Sequence, residues 1–228
     1  MKFTIVAEQK TFLSRKGYLE LEPLFSEEEL TAASVATDAA LKKEIKNPKE
    51  YFVDKRPDEL FLLGRDLWRK EAAIEKLALN KPLARIAGAL FDEKTVRIGY
   101  TQAFRTQKTT GKSPLKTPTT LQKVSCIQGV VCGLVIRLTD GPVAKAADFF
   151  SPYPEKKGDM TFFTPDLPIT FDPFFQIQDQ SLLLIVYCLP SSVYILEMDD
   201  PHTHQLKKEG YVFGDRLKNE THPLIVRG

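Results

Sequence analysis

The stretch TVRIGYTQAF, residues 95–104, marks the point at which the sequence changes from a helical to a strand periodicity. In an extended strand successive side chains point to opposite faces, so every second residue lies on the same side. The residues predicted for one face are Val96, Ile98, Tyr100, Gln102 and Phe104, and those for the other are Arg97, Gly99 and Thr101. The pattern predicts a long β-strand at the entrance to a β-rich second half.

The residues before this strand are predicted to form helices. Ser26 and Glu29 have the spacing of a capping box, and apolar residues follow them at intervals of three and four. Pro48 is predicted to end this helix, because proline cannot donate a backbone hydrogen bond. A second helix is predicted over residues 66–79, and a third, shorter one from Pro82 to Leu90.

Several short strands are predicted after residue 105, separated by Pro, Gly, Asp and Ser. Their ranges are 121–127, 130–138, 159–164, 181–189 and 193–198. Helices followed by many strands indicate an α+β fold whose sheet forms a sandwich or barrel. The 228 residues suit a single domain, mainly helical over residues 1–94 and β-rich over 95–228. The segment 106–120, rich in Thr, Lys and Pro, is predicted to be a mobile loop.

The composition favours a folded protein of a reducing compartment. Hydrophobic residues make up 43% of the chain and include 15 Phe, which argues against disorder. Basic and acidic residues number 32 and 30, so the strongly basic character of a dedicated nucleic-acid-binding domain is missing. The N-terminal MKFTIVAEQK reads neither as a secretory signal nor as a membrane span. Three scattered cysteines, Cys126, Cys132 and Cys188, predict buried free thiols in a cytoplasmic protein.

Three segments resemble the phytanoyl-CoA dioxygenase family of non-haem iron oxygenases. The first is FLSRKGYL at 12–19 with EPLFSEE at 22–28, similar to the helix, glycine turn, short strand and capped helix that open the family's fold. The second is PLARIAGAL at 82–90 with VRI at 96–98, and the third is KKGDMTFF at 156–163. The chain also resembles hypothetical proteins of chlamydiae. The family resemblance implies a double-stranded β-helix, a jelly-roll or cupin-like core, with N-terminal helices packed on one sheet.

The resemblance also implies a chemistry whose residues this sequence lacks. Members of the family bind Fe(II) through a His-x-Asp/Glu pair on an early core strand and a distal histidine, and a basic residue, usually Arg, binds 2-oxoglutarate. No histidine precedes His202, and residues 163–170, where the distal one is expected, contain none. No Lys or Arg occurs between Lys157 and Lys207. We therefore expect no working oxygenase and no cofactor, and assign no catalytic or cofactor-binding residue.

A weak candidate for a metal site is DDPHTH at 199–204. Asp200, His202 and His204 are ligand types for divalent metals, and His-x-His on a strand places both imidazoles on one face. The segment follows the last strong strand and contains a proline. An exposed turn is therefore the favoured interpretation.

The residues from 105 to 123 include five basic side chains and no acidic one. Such a segment is a weak candidate for binding anions, including nucleic-acid phosphates, by electrostatic attraction. It has no interleaved aromatic residues and no recognition helix, so a solvated loop is the favoured interpretation. The candidate residues are Arg105, Lys108, Lys112, Lys116 and Lys123.

The leading hypothesis from the sequence is a non-catalytic protein on an oxygenase scaffold that binds or scaffolds a partner. One alternative is a divalent-metal-responsive regulator that contacts nucleic acid through the basic segment. Another is an enzyme that uses a different chemistry. The sequence names no ligand or partner and predicts no membrane association.

Overall fold

The computed structural model describes residues 5–45, 52–143 and 148–225, and within these ranges it contains six α-helices and five β-strands. The helices are α1 (Ala7–Lys16), α2 (Glu27–Glu44), α3 (Pro57–Leu63), α4 (Ala72–Ala78), α5 (Lys81–Leu90) and α6 (Asp172–Phe175). The strands are β1 (Tyr18–Leu21), β2 (Arg97–Arg105), β3 (Ile127–Arg137), β4 (Met160–Phe163) and β5 (Ser181–Tyr194). None of the helices described combines the length and apolar character that a membrane span requires.

The five strands form one antiparallel sheet in the order β1-β4-β3-β5-β2. Neighbours in this sheet are far apart in sequence: Tyr18 of β1 lies opposite Phe163 of β4, and Arg105 of β2 lies opposite Ser181 of β5. The sheet therefore combines strands from both the helical and the β-rich half of the chain.

Each face of the sheet has its own apolar core. The helix-side core contains Leu41 of α2, Leu77 of α4 and Leu83 of α5. The opposite face, which we call the inner face, is covered by the segments 115–126 and 164–177. A β-bridge between Thr119 and Ile169 joins these two segments into a second layer. Strands β2 and β4 and most of β3 and β5 are thus buried on both faces, and the inner face is where the fold places a potential site.

A β-bulge in β2 changes which residues share a face. Ile98 lies opposite Tyr187 and Tyr100 lies opposite Val186, so Gly99 is an extra residue. Ile98 consequently packs in the helix-side core, whereas Tyr100 packs on the inner face. The prediction of one uninterrupted alternation through residues 95–104 is wrong, because the bulge shifts the phase by one residue.

Other elements confirm or correct the sequence predictions. The capping box is present: Ser26 N donates to Glu29 Oε2 at 2.9 Å and Glu29 N donates to Ser26 Oγ at 3.3 Å. The predicted end at Pro48 lies outside the described residues, and α2 ends at Glu44. The predicted helix 66–79 is interrupted, because Asp66 adopts a left-handed conformation (φ 54°) and α4 begins only at Ala72. The prediction of a strand over 121–127 is wrong except at Ile127, where β3 begins; the residues before it form a turn.

Candidate functional site

The segment in which the family resemblance places a distal histidine carries hydroxyl groups in place of an imidazole. Thr170 is buried; its Oγ1 accepts a hydrogen bond from Asp172 N at 3.1 Å and lies 3.4 Å from Thr117 Oγ1. Beside it, Thr119 N donates to Ile169 O at 3.0 Å. The triad that holds non-haem Fe(II) consists of imidazole and carboxylate groups, and these threonines supply neither.

Aromatic side chains fill the adjoining space on the inner face. Phe104 is fully buried, and its ring stacks on that of Phe171 with 4.6 Å between the centroids. The rings of Phe61 and Phe174 meet it edge-on at 5.2 and 5.9 Å. The inner cavity that remains beside these rings has a volume of about 10 Å³. This is close to the space of a single water molecule, on the order of 10–15 Å³.

The residues on the inner face do not fit Fe(II) and 2-oxoglutarate. In the described ranges no three His, Cys, Asp or Glu side chains come together in a way that could hold a metal ion. A facial triad needs three such ligands and leaves three further positions open. In addition, the inner cavity as it stands in this structure, with about 10 Å³, leaves no space for 2-oxoglutarate.

A buried ion pair lies in the wall of the inner cavity. Arg65 Nη2 is 3.4 Å from Asp200 Oδ2, and the two side chains are only 5% and 1% exposed. The Arg65 guanidinium also lies over the Tyr100 ring, with 3.4 Å from Cζ to the centroid. Burial by itself lowers the pKa of Arg65, but the charge of Asp200 and its neighbours raises it overall. Arg65 therefore stays a cation inside the protein.

The prediction of an exposed turn at Asp200 and His202 is wrong, because these residues are only 2% and 8% exposed. Backbone amides hold the Asp200 carboxylate in place: Cys126 N and His202 N each donate to it at 2.8 Å. His204 is exposed as predicted, with its ring 6.3 Å from that of Phe213. Two of the three candidate metal ligands are thus buried next to each other, and the third is exposed.

The backbone amides of Cys126 and His202 both donate to the Asp200 carboxylate, which brings these three residues together although their sequence spacing did not indicate it. A thiol, an imidazole and a carboxylate are the residue types of cysteine-based nucleophilic catalysis. Burial, however, raises the pKa of the Cys126 thiol to about 12 and lowers the pKa of His202 to about 3. Such catalysis needs a thiolate beside an imidazolium, and here both groups are neutral at pH 7. The cluster does not form an activated nucleophile.

The buried histidines predict a loss of stability in mild acid. Burial lowers the pKa of both His202 and His222 to about 3, below the ordinary value of 6.5. Both are neutral in the folded protein, so their stabilising contribution is complete above about pH 6.5 and is lost as the pH falls towards 3. We expect the free energy of unfolding, measured in urea, to fall by about 1.2 kcal/mol for each histidine between pH 7 and about pH 5.5. The variants His202→Asn and His222→Asn should each have a shallower pH dependence, and slopes equal to the wild type would contradict the assignment.

Arg137, at the end of β3, is a second buried cation and was not among the predicted site residues. Its guanidinium lies 4.7 Å from the centre of the Tyr153 ring, and its five N–H groups donate to six oxygen atoms of the protein. These acceptors are the backbone oxygens of Thr139, Gly141, Pro142, Pro154 and Glu155 and the side-chain Oε1 of Gln180. No donor is left for a ligand carboxylate. A single Arg after the apolar run VVCGLVI is the one sequence sign of this site.

The five candidate anion-binding residues do not share one environment. Arg105 forms a two-bond ion pair with Asp38, from Nε to Oδ1 at 2.7 Å and from Nη2 to Oδ2 at 3.2 Å. Lys116 is paired with Asp199. The other three, at 108, 112 and 123, are exposed. This arrangement lends no support to a metal-responsive regulator that contacts nucleic acid.

The segment predicted as a mobile loop, 106–120, is tied to the second layer at both ends and in its middle. Thr106 N donates to Gln180 O at 2.9 Å, and Gly111 N donates to Phe175 O at 3.0 Å. The bridge at Thr119 completes these ties. The three cysteines are free and buried, as predicted.

Neither a protein-family model nor a curated protein matches this sequence. Solved structures do match it. The non-heme alpha ketoglutarate dependent carbocyclase SnoK from nogalamycin biosynthesis is 17% identical, with a TM-score of 0.69 over 96% of each chain. The epimerase SnoN of the same biosynthesis is 14% identical, with a TM-score of 0.69 over 96% of this chain and 98% of that one.

A further similar structure is CT296 from Chlamydia trachomatis, which is 12% identical with a TM-score of 0.51 over 83% of this chain and 99% of that one. At these identities the likeness concerns the fold, and the resemblance to chlamydial hypothetical proteins stays a prediction. The α+β arrangement with its antiparallel sheet and second layer agrees with the fold of SnoK and SnoN. The chain therefore has the double-stranded β-helix fold of the iron- and 2-oxoglutarate-dependent oxygenases.

Proposed function

We propose that this chain is a degenerate, non-catalytic relative of the phytanoyl-CoA dioxygenases, which binds or scaffolds a partner without iron or 2-oxoglutarate. The filled inner face carries the proposal: the Phe104–Phe171 ring stack stands beside a cavity of about 10 Å³. The hydroxyl group of Thr170 supports it, because Thr170 lies in the segment 163–170, where the resemblance places the distal histidine. The free thiols support a cytoplasmic location.

The proposal predicts that Fe(II) and 2-oxoglutarate neither react on the protein nor stabilise it. Purified protein with Fe(II), ascorbate and 2-oxoglutarate should form no succinate above the level without protein. A ligand that binds only the folded state raises the melting temperature by mass action, so 2-oxoglutarate with Mn(II) should leave it unchanged. SnoN, whose structure is also known in complex with Fe3+, alpha ketoglutarate and nogalamycin RO, serves as the positive control. Succinate formed in proportion to protein concentration would refute the proposal.

A further inference from the structure

We propose that the inner cavity is a closed binding site for a ligand that carries one carboxylate on an apolar body. Residues 197–205, which we call the cover, close this site. In the closed state Asp200 of the cover occupies the position of the ligand's carboxylate on Arg65. This inference rests on the proposed function, because it requires an inner face without iron and 2-oxoglutarate.

Arg65 has the properties of a carboxylate receptor. A buried guanidinium is costly without an anion, and Arg–carboxylate pairs are strongest when two parallel N–H···O bonds of about 2.7–2.9 Å form. The structure gives Arg65 a single bond to Asp200 at 3.4 Å. Asp200 is held back by the amides of Cys126 and His202, each at 2.8 Å. A free carboxylate is not restrained in this way and would form the shorter, paired contacts.

The remaining wall of the inner cavity is suited to an apolar body. Its apolar lining includes Phe61, Phe104, Leu121, Val124, Phe171 and Leu184. Gln102 also lies in the wall, and its buried Oε1 accepts no hydrogen bond. An unsatisfied buried acceptor costs about 1–3 kcal/mol, so a hydroxyl or other donor on the ligand would be favoured here. These groups together define an amphipathic carboxylic acid.

The cover forms hydrogen bonds within itself, and it is tied to the rest of the protein through the Asp200 carboxylate, the Lys116–Asp199 ion pair and a hydrogen bond from Tyr194 Oη to Thr203 O. Inside it, Asp200 N donates to Glu197 O at 3.3 Å, Thr203 N to Asp200 O at 3.0 Å and Gln205 N to His202 O at 2.8 Å. Glu197 N also donates to Thr203 Oγ1 at 3.0 Å. A turn held by its own hydrogen bonds can move as one piece without breaking the sheet.

In the closed position, one buried polar atom of the cover lacks a hydrogen-bond partner. His202 Nε2 is buried without a hydrogen-bond partner, which opposes closure. Asp200 and Pro201 form part of the cavity wall, so moving the cover enlarges the space beside Arg65. A ligand that replaces Asp200 would thus gain both the cation and the apolar lining.

Calorimetric titration with sodium decanoate, below its micelle-forming concentration, tests the site. Asp200→Asn removes the competing carboxylate and should bind decanoate about tenfold more tightly than the wild type. The Arg65→Gln variant should bind decanoate no more tightly than it binds 1-decanol, the neutral probe. Lys207→Gln, at an exposed lysine, controls for binding elsewhere and should match the wild type. Equal affinities of the wild type and Asp200→Asn, or an affinity unchanged by Arg65→Gln, would overturn the inference.

Amide hydrogen exchange in the wild type provides a test that needs no variant. Decanoate should increase the exchange of the Cys126 amide, because displacing the cover removes the Asp200 carboxylate that accepts its hydrogen bond. Unchanged or slower exchange of this amide at saturating decanoate would also overturn the inference. Such a failure leaves the proposed function standing as long as no succinate forms, whereas succinate formation would refute that function whatever decanoate does.

Discussion

Replacing Arg137 with methionine should lower the free energy of unfolding by about 5 kcal/mol, enough to unfold many domains. The methionine side chain fills similar space but removes the guanidinium donor from six oxygen atoms, of which only Gln180 Oε1 and Pro142 O also accept from Tyr153 Oη. Each unsatisfied buried acceptor costs about 1–3 kcal/mol, and part of this cost is relieved when loops open to water. These loops contain the acceptors of Thr139 to Pro142 and those of Pro154 and Glu155. Urea unfolding followed by circular dichroism measures the change.

Two variants serve as controls for Arg137→Met. Arg137→Lys keeps the charge but offers three donors from one point, so it should recover only a minor part of the lost stability. Arg85→Met changes an exposed arginine of α5 and should alter the free energy of unfolding by less than about 0.5 kcal/mol. A loss below about 1 kcal/mol for Arg137→Met would show that the carbonyl oxygens are not held by this guanidinium.

Phe104→Ala should cost about 3–5 kcal/mol of stability and open an apolar cavity on the inner face. Phe104 is fully buried and contacts the rings of Phe61, Phe171 and Phe174. A dry apolar cavity of this kind binds small aromatic molecules. Benzene should therefore raise the melting temperature of the variant and leave that of the wild type unchanged.

The control for Phe104→Ala is Phe149→Ala. Phe149 is 40% exposed, so its truncation should cost well under 1 kcal/mol and create no benzene site. Benzene binding to the wild type with the same affinity would mean that the inner face is an open pocket, which would contradict the packing that supports the proposed function.

Much of the fold was accessible from the sequence, because local patterns determine it. The capping box at Ser26, the helix after Asn80 and the apolar strands that became β3 and β5 follow from spacing and composition. The bulge at Gly99 was not accessible, since it arises from the register of β2 against β5, a strand much later in the chain. Likewise, the left-handed Asp66 interrupts a helical pattern that remains continuous in the sequence. Its Oδ1 accepts a hydrogen bond from Thr101 N, a contact that only the tertiary fold provides.

The candidate site could not be predicted from the sequence. The sequence shows directly that no histidine precedes His202, but it does not show which residues come together on the inner face. The pairing of Arg65 with Asp200 could not be read from it, since the two residues are far apart in the chain and neither lies in a motif. The exposure of Asp200 and His202 was misjudged for the same reason. Proline and aspartate usually mark a surface turn, and here the turn folds over the inner face.

The strand order has a consequence for how the chain acquires its structure during synthesis. Strand β1 cannot pair until Phe163, which lies opposite Tyr18, has been synthesised. Strand β2 likewise cannot pair fully until Cys188, which lies opposite Arg97, has been synthesised. Contacts of such high sequence separation slow folding, because the intervening loop must close before any pairing energy is gained. The emerging N-terminal helices therefore hold an uncovered apolar surface until most of the chain has left the ribosome. Molecular chaperones that bind such surfaces would act on this nascent chain mainly before β5 is complete.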